Sequence, residues 1–235
     1  MDKHEKRIIT ISREFGSGGR TIGRRVAEEL GIPFYDKELV DQIALESGFA
    51  PNFVEEHGEH SPGKSIFSYA FSHQGVPGVM NGLSTADFLW NIQCSVILQL
   101  AEQGPCVIVG RNADYILKDR QDALHAYVFA DVPYRAERIV RRYGESDKSP
   151  EQRLQEKDKR RSVNYRHYTG RTWGAAQNYD LCLNSSVIGV DDRERSQGQY
   201  PLVVVQLEGE LTEEEKRAKC SDIFKQCERE VEERG

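Results

Sequence analysis

The chain has 235 residues, a net charge of −6 from 32 Lys and Arg against 38 Asp and Glu, and 38% hydrophobic residues, enough for one sizeable core or two small ones. With 9% aromatic residues it is neither a disordered tail nor a low-complexity segment. No apolar run approaches the roughly 20 residues that cross a bilayer, and the acidic balance argues against a general nucleic-acid binder, so neither a membrane nor a nucleic acid is an expected partner.

Met1 to Arg7 is polar and shows no secretory signal, and the five cysteines (Cys94, Cys106, Cys182, Cys220, Cys227) are scattered without a CxxC pair. Reduced thiols in a cytoplasmic protein are the expectation. Ile8 to Ile11 reads as a buried strand, followed at once by the turn Gly16-Ser17-Gly18-Gly19. Ile22, Val26, Ala27 and Leu30 then recur at helical spacing until Gly31 and Pro33 stop the helix. Phe34-Tyr35 makes a very short strand ending at Asp36. Lys37 to Gly48 is a predicted helix, and Ala50 to about Ser84 is the least regular stretch, of the kind that forms a functional insertion.

Phe88 to Gln103 resumes as a helix, Gly104-Pro105 breaks it, and Cys106 to Val109 is a strand closed by Gly110. Ala126 to Ala130 is another strand, followed by a helix from Tyr134 to Tyr143 with an arginine face. A basic helix runs from Pro150 to about Asn164, and Tyr179 to Leu183 is again a strand. Such alternation predicts an α/β fold with a parallel sheet covered on both faces and ligands at the carboxyl ends of its strands. Beyond a hydrophilic linker, Asp191 to Gln199, the sequence predicts a strand at Leu202–Val205 and a charged helix over Thr212–Glu233. That strand is a candidate added edge, or a contact between copies in a homo-oligomer.

The charge is unevenly spread. Between Arg135 and Arg171 there are twelve basic against six acidic residues, and from Glu208 onward ten acidic against six basic. The middle of the chain is suited to an anion.

A strand that enters a glycine-rich loop and opens a helix builds an anion site, because unpaired amides and the positive end of the helix dipole converge there. The loop here is Gly16-Ser17-Gly18-Gly19-Arg20-Thr21, and Thr21 or Ser17 could offer a hydroxyl to Mg2+, with Thr21 the expected metal contact. The strict pattern GxxxxGK[ST] is absent. Ending it at Gly19-Arg20-Thr21 puts Glu14 in the place of its first glycine, whereas ending it at Gly18-Gly19-Arg20 removes the lysine. In both readings an arginine, a planar fork rather than a compact charge, stands in or near the lysine's place.

Three motifs in order make the pattern specific: Ile9 to Arg20 (ITISREFGSGGR), Val107 to Leu117 (VIVGRNADYIL), and Tyr168-Thr169-Gly170 with Trp173-Gly174 and Asn178 to Leu181. Together they resemble the cytidylate kinase-like family of the P-loop nucleoside monophosphate kinase superfamily, over about residues 6 to 190. The resemblance implies a P-loop kinase-type three-layer αβα fold with a five-stranded parallel sheet. It also implies a helical acceptor-binding insertion at about 37–100 and a basic lid at about 148–175, within a kinase-like domain of residues 1–190 followed by the 191–235 extension.

By the same resemblance, ATP and Mg2+ are the cofactors and a small phosphorylated molecule is the substrate. Gly16, Ser17, Gly18, Gly19, Arg20 and Thr21 match the phosphate loop, Asp36 an acceptor-nucleotide position, and Gly110-Arg111 a motif whose arginine grips the acceptor phosphate. Lys159, Arg160, Arg161 and Arg166 fall where the lid supplies charge, so Arg20, Lys159, Arg160 and Arg161 are the expected catalytic cations and Asp36, Arg111 and Arg166 the expected substrate contacts. Phosphoryl transfer needs mostly positioning and charge neutralisation, which such residues provide.

The chain departs from the pattern at three places. The loop lysine is missing, Asn112 replaces the aspartate after Gly-Arg, and Val109 stands where an acid precedes that glycine, with Asp114 or Glu14 the candidates to take over. The function that the resemblance implies is transfer of the γ-phosphate of ATP to CMP or dCMP. The alternatives are a nucleotide-sensing module without efficient turnover and a kinase for a non-nucleotide small molecule.

Overall fold

A computed structural model describes residues 7–57 and 83–190, all within one contact unit, Lys6–Val203. The 191–235 extension, with the strand and helix expected there, lies outside the described residues, as does the 58–82 part of the insertion.

Strand β1 (Ile8–Arg13) runs into helix α1 (Gly19–Leu30), followed by β2 (Phe34–Tyr35), α2 (Lys37–Ser47), α3 (Pro51–His57) and α4 (Thr85–Gln103). Then come β3 (Cys106–Val109), α5 (Ala113–Ile116), β4 (Ala123–Phe129), α6 (Val132–Tyr143), α7 (Pro150–Thr169), β5 (Leu181–Asn184) and α8 (Ser185–Ile188). The five strands form one sheet in the order β2-β3-β1-β4-β5, and every pairing is parallel. The chain thus has the expected three-layer α/β fold.

Alternation along β3 explains why both faces are covered, since successive strand residues point to opposite sides. Cys106 and Ile108 join a core with Leu39, Ile43, Val54, Leu89, Ile97 and Leu100, from the side carrying α2, α3 and α4. Val107 and Val109 join a second core with Ile11, Ile22, Ala27, Val128 and Val190, on the α1 side. A third, small cluster of Ala136, Ile139 and Leu154, with Phe15 against it, fastens α6 and α7 to the loop after β1.

Several boundaries differ from the sequence expectation. Within the stretch read as irregular, Pro51 opens α3, where its fixed φ and missing N–H cost nothing at a first helical turn. Helix α4 starts at Thr85 because the Ser84 hydroxyl accepts the Asp87 N–H at 3.1 Å. Helix α7 opens on a reciprocal Ser149–Gln152 capping box and passes Asn164 to end at Gly170 in the left-handed conformation. Its continuation is a tertiary effect: buried Asn164 accepts the Asn112 side-chain N–H at 2.9 Å, and Tyr168 stacks on Trp90 of α4 at 4.3 Å.

Candidate phosphate-binding cleft

The loop between β1 and α1 leaves the carboxyl end of the central strand, next to the point where strand order reverses, which is where ligands bind in open parallel sheets. Its conformation depends on two glycines. Gly16 (φ +85°) and Gly18 (φ +83°) are left-handed, and a Cβ on Gly18 would lie 2.8 Å from Val190 Cγ1. Gly18 is the N-cap of α1 and Gly19 its first residue. Having no side chain, Gly18 offers no cap to the first-turn amides, and no acid lies in that turn, so this end of the helix is open to an anion.

The back of the loop is bonded to the protein. The Ser17 hydroxyl lies 2.9 Å from the Glu14 carbonyl and 3.0 Å from that of Val128, and the Ser185 hydroxyl donates to the Ser17 carbonyl at 2.5 Å. The Ser17 side chain, fully buried, is therefore a fastening of the loop and, unlike Thr21, does not line the cleft. Asp158 of α7 accepts the Phe15 N–H at 2.7 Å and the Arg135 Nη1–H at 2.6 Å, while Arg135 Nη1 also donates to the Phe15 carbonyl at 3.3 Å.

The loop faces a cleft of about 530 Å³ lined by nine basic residues and three acidic ones. Arg20 lies on the cleft with its Nε 2.5 Å from Asp36 Oδ2, so two of the expected site residues meet as an ion pair. Asp36 is at the N-cap position of α2 but makes no side-chain cap bond. Thr21 also lines the cleft, and its hydroxyl accepts from Arg138 Nη2 at 3.1 Å.

Arg111 projects from the end of β3 with a left-handed backbone (φ +58°), as do Gly110 and Asn112 beside it. Strain of this kind in a non-glycine residue persists only where the surroundings over-determine it. Here Gln93 Nε2 donates to the Arg111 carbonyl at 2.8 Å and Arg111 Nη1 donates to the Val54 carbonyl at 3.2 Å. Helix α7 presents Arg153, Lys157 and Arg161 to the cleft, spaced four apart along one face. Lys159, Arg160 and Arg166 are exposed on the same helix and do not line the cleft.

Two buried arginines escaped the sequence reading. Arg135 and Arg138 of α6 are 6% and 4% exposed and reach the loop at Phe15 and Thr21. The signal available was their i, i+3 spacing beside buried Ala136 and Ile139, but an arginine face ordinarily reads as solvent-facing.

Both acids considered as substitute metal ligands are engaged with protein groups. Glu14 Oε2 accepts the Ala130 N–H at 3.1 Å and lies 3.4 Å from Arg135 Nε, and burial raises its carboxyl above the usual value. Asp114 is buried, accepting from Ser12 at 3.0 Å and Tyr165 at 2.7 Å. Burial raises its carboxyl, against the lowering effect of those two hydroxyls. Among the described residues, no group of three or more His, Cys, Asp or Glu is gathered that could hold a metal, and no helix is long and apolar enough to cross a membrane.

The family model for the cytidylate kinase-like family matches residues 8–187. A cytidylate kinase of Pyrococcus horikoshii is 25% identical over 183 residues, which cover 77% of this chain and 81% of that protein. A cytidylate kinase of Pyrobaculum aerophilum is 26% identical over 198 residues, 82% of this chain and 91% of that one. Among solved structures, an uncharacterized protein from Eubacterium ventriosum superposes with a TM-score of 0.54 at 27% identity, over 75% of this chain and 86% of its own.

Proposed function

The chain belongs to the cytidylate kinase-like family, and we propose that it moves the γ-phosphoryl group of ATP to a nucleoside monophosphate, with CMP or dCMP the preferred acceptor. The observation that carries this reading is the loop itself. A glycine-built helix start opens at the carboxyl end of the central strand onto a cleft whose walls are mostly cationic. Phosphoryl transfer needs that combination, since the phosphates must be held in line while their charge is neutralised.

In this reading the first-turn amides of α1 hold the ATP phosphates, and Arg111 takes the acceptor phosphate. Arg161, with Arg153 and Lys157 beside it, closes the cleft from α7, while the exposed Lys159, Arg160 and Arg166 are not required. Asp36 orients the acceptor and, through its ion pair, Arg20. Thr21 Oγ1, accepting from Arg138, retains a lone pair for Mg2+. With so few protein ligands, Mg2+ would arrive with the nucleotide, where it offsets phosphate charge. The three acids on the cleft wall leave room for small anions and are too few to repel them.

The test uses purified full chain with ATP-Mg2+ against CMP, dCMP, UMP, other monophosphates and small hydroxylated metabolites, following ADP release. Turnover that requires a nucleoside monophosphate and falls at least about a hundredfold in both Arg20→Ala and Arg111→Ala is the expected result. Turnover only with a hydroxylated metabolite would replace the acceptor. ATP binding with no acceptor-dependent ADP would replace the enzyme by a nucleotide sensor, the reading that the absent loop lysine favours.

A further inference from the structure

The conformations of the two adjacent glycines decide how the loop maps onto GxxxxGK[ST]. Gly18 is left-handed and so requires glycine, whereas Gly19 has no positive φ and begins the helix. Gly18 therefore takes the place of the pattern's second glycine, Gly19 that of its lysine, and Arg13, five residues before Gly18, that of its first glycine. The chain has exchanged residue types between the two ends of the loop, with a cation at the first position and no side chain at the lysine position.

The side chain of Arg13 makes this exchange a spatial one. A Cβ on Gly19 would lie 2.6 Å from Arg13 Cβ and 3.2 Å from its Cγ. Farther along, a Cβ on Gly110 would lie 2.8 Å from Arg13 Cζ, and still nearer Nη1. The arginine stem thus starts beneath the first residue of α1, and its guanidinium ends against Gly110, which follows β3 and precedes Arg111. Two glycines, Gly19 and Gly110, clear its path.

The guanidinium also ends in suitable company. Arg13, Arg111 and Arg161 together line both the large cleft and an adjoining cavity of about 20 Å³, whose other lining residues, Ser12, Gly110, Asn112, Asn164 and Trp173, include no acid. Arg161 Nη1 donates to the Arg13 carbonyl at 3.0 Å, joining the end of β1 to the α7 face. Arg161 Nη1 also lies 3.9 Å from Oδ1 of Asp158, a carboxylate that it shares with Arg135. Three arginines lining one small space gain most from a multiply charged oxyanion, to which a guanidinium can present parallel N–H donors.

We propose that Arg13 is a catalytic residue that does the work of the missing loop lysine, its guanidinium binding the transferring phosphoryl group between the loop and Arg111. This rests on the phosphotransferase reading, and its test separates the two. Wild type, Arg13→Gln and the double variant Arg13→Gly/Gly19→Lys are compared by calorimetric titration with ATP-Mg2+ and with inorganic tripolyphosphate, by melting, and by ADP release with the acceptor that the wild type uses.

The expected result is that Arg13→Gln weakens tripolyphosphate binding about tenfold or more and lowers kcat about 10²–10³-fold, while the double variant, with its cation returned to the helix start, recovers most of both. Tripolyphosphate binding by Arg13→Gln equal to that of the wild type overturns the proposal, whatever the turnover. If Arg13→Gln melts as an unfolded protein, the double variant decides: wild-type-like binding supports Arg13, and lost binding with a wild-type melt overturns it. A wild type that binds ATP yet yields no ADP with any acceptor sinks the phosphotransferase and leaves the titrations to judge Arg13. A wild type that binds neither ligand overturns both.

Discussion

At the scale of single residues, the buried carboxyl of Asp114 links the site to acid stability. Burial holds its pKa above the ordinary 3.8 although Ser12 and Tyr165 donate to it. Over an interval just above 3.8 the folded protein therefore keeps a proton that the unfolded chain has released. The contribution of this group to stability is fully present below the unfolded pKa and is lost as pH rises through the folded one. Asp114→Asn should remove that slope from denaturant-derived stability measured between about pH 4 and pH 7, and an unchanged slope would show that another group sets it. The same scale shows where sequence reading stops. The glycine loop and Arg111 were legible because motifs in a fixed order carry them. Arg13 was passed over because it reads as the last residue of a strand, and its meaning lies in contacts with Gly19 and Gly110. Arg135 and Arg138 were passed over because periodicity shows that a helix has two faces without showing which is inside.

At the scale of elements, helix α7 carries three of the nine bases that line the cleft, and its first turn is secured by the Ser149–Gln152 box, with Gln152 N–H to Ser149 Oγ at 3.3 Å and Ser149 N–H to Gln152 Oε1 at 3.1 Å. Ser149→Ala should cost about 1 kcal/mol and speed amide exchange over the first turn of α7, leaving β1 and β3 protected. Equal exchange in variant and wild type would mean that packing, with Leu154 in the small α6–α7 cluster, holds the helix alone. Strands and long helices were readable from local pattern, and all five strands of the sheet occur where the sequence expects them, within a few residues. Their ends were not, for reasons that are tertiary. Ser12 and Arg13 extend β1 by pairing with Tyr127 and Val128, and α7 runs past Asn164, whose buried side chain accepts from Asn112. The short helices α3 and α5 lie in stretches too brief for periodicity to show.

At the scale of the whole molecule, the net charge of −6 coexists with a cleft whose lining carries nine bases and three acids. The average thus conceals a locally cationic cleft. Raising ionic strength from about 0.05 to about 0.5 M should weaken ATP affinity by about an order of magnitude, as screening shortens the reach of the cleft charges. Affinity constant over that range would show that backbone amides alone bind the phosphates. The strand order has a further consequence, for the way the protein comes into being. The central strand β1 is synthesised first, yet its two neighbours begin at Cys106 and Ala123, so it waits for roughly a hundred residues of chain before any partner exists. During that time Ile8, Ile9 and Ile11 form an apolar segment with both edges open, the kind of surface that nascent chains leave exposed to chaperones and to one another. The strand that ends in the phosphate loop is thus the oldest part of the sheet and, until β3 and β4 arrive, its least protected.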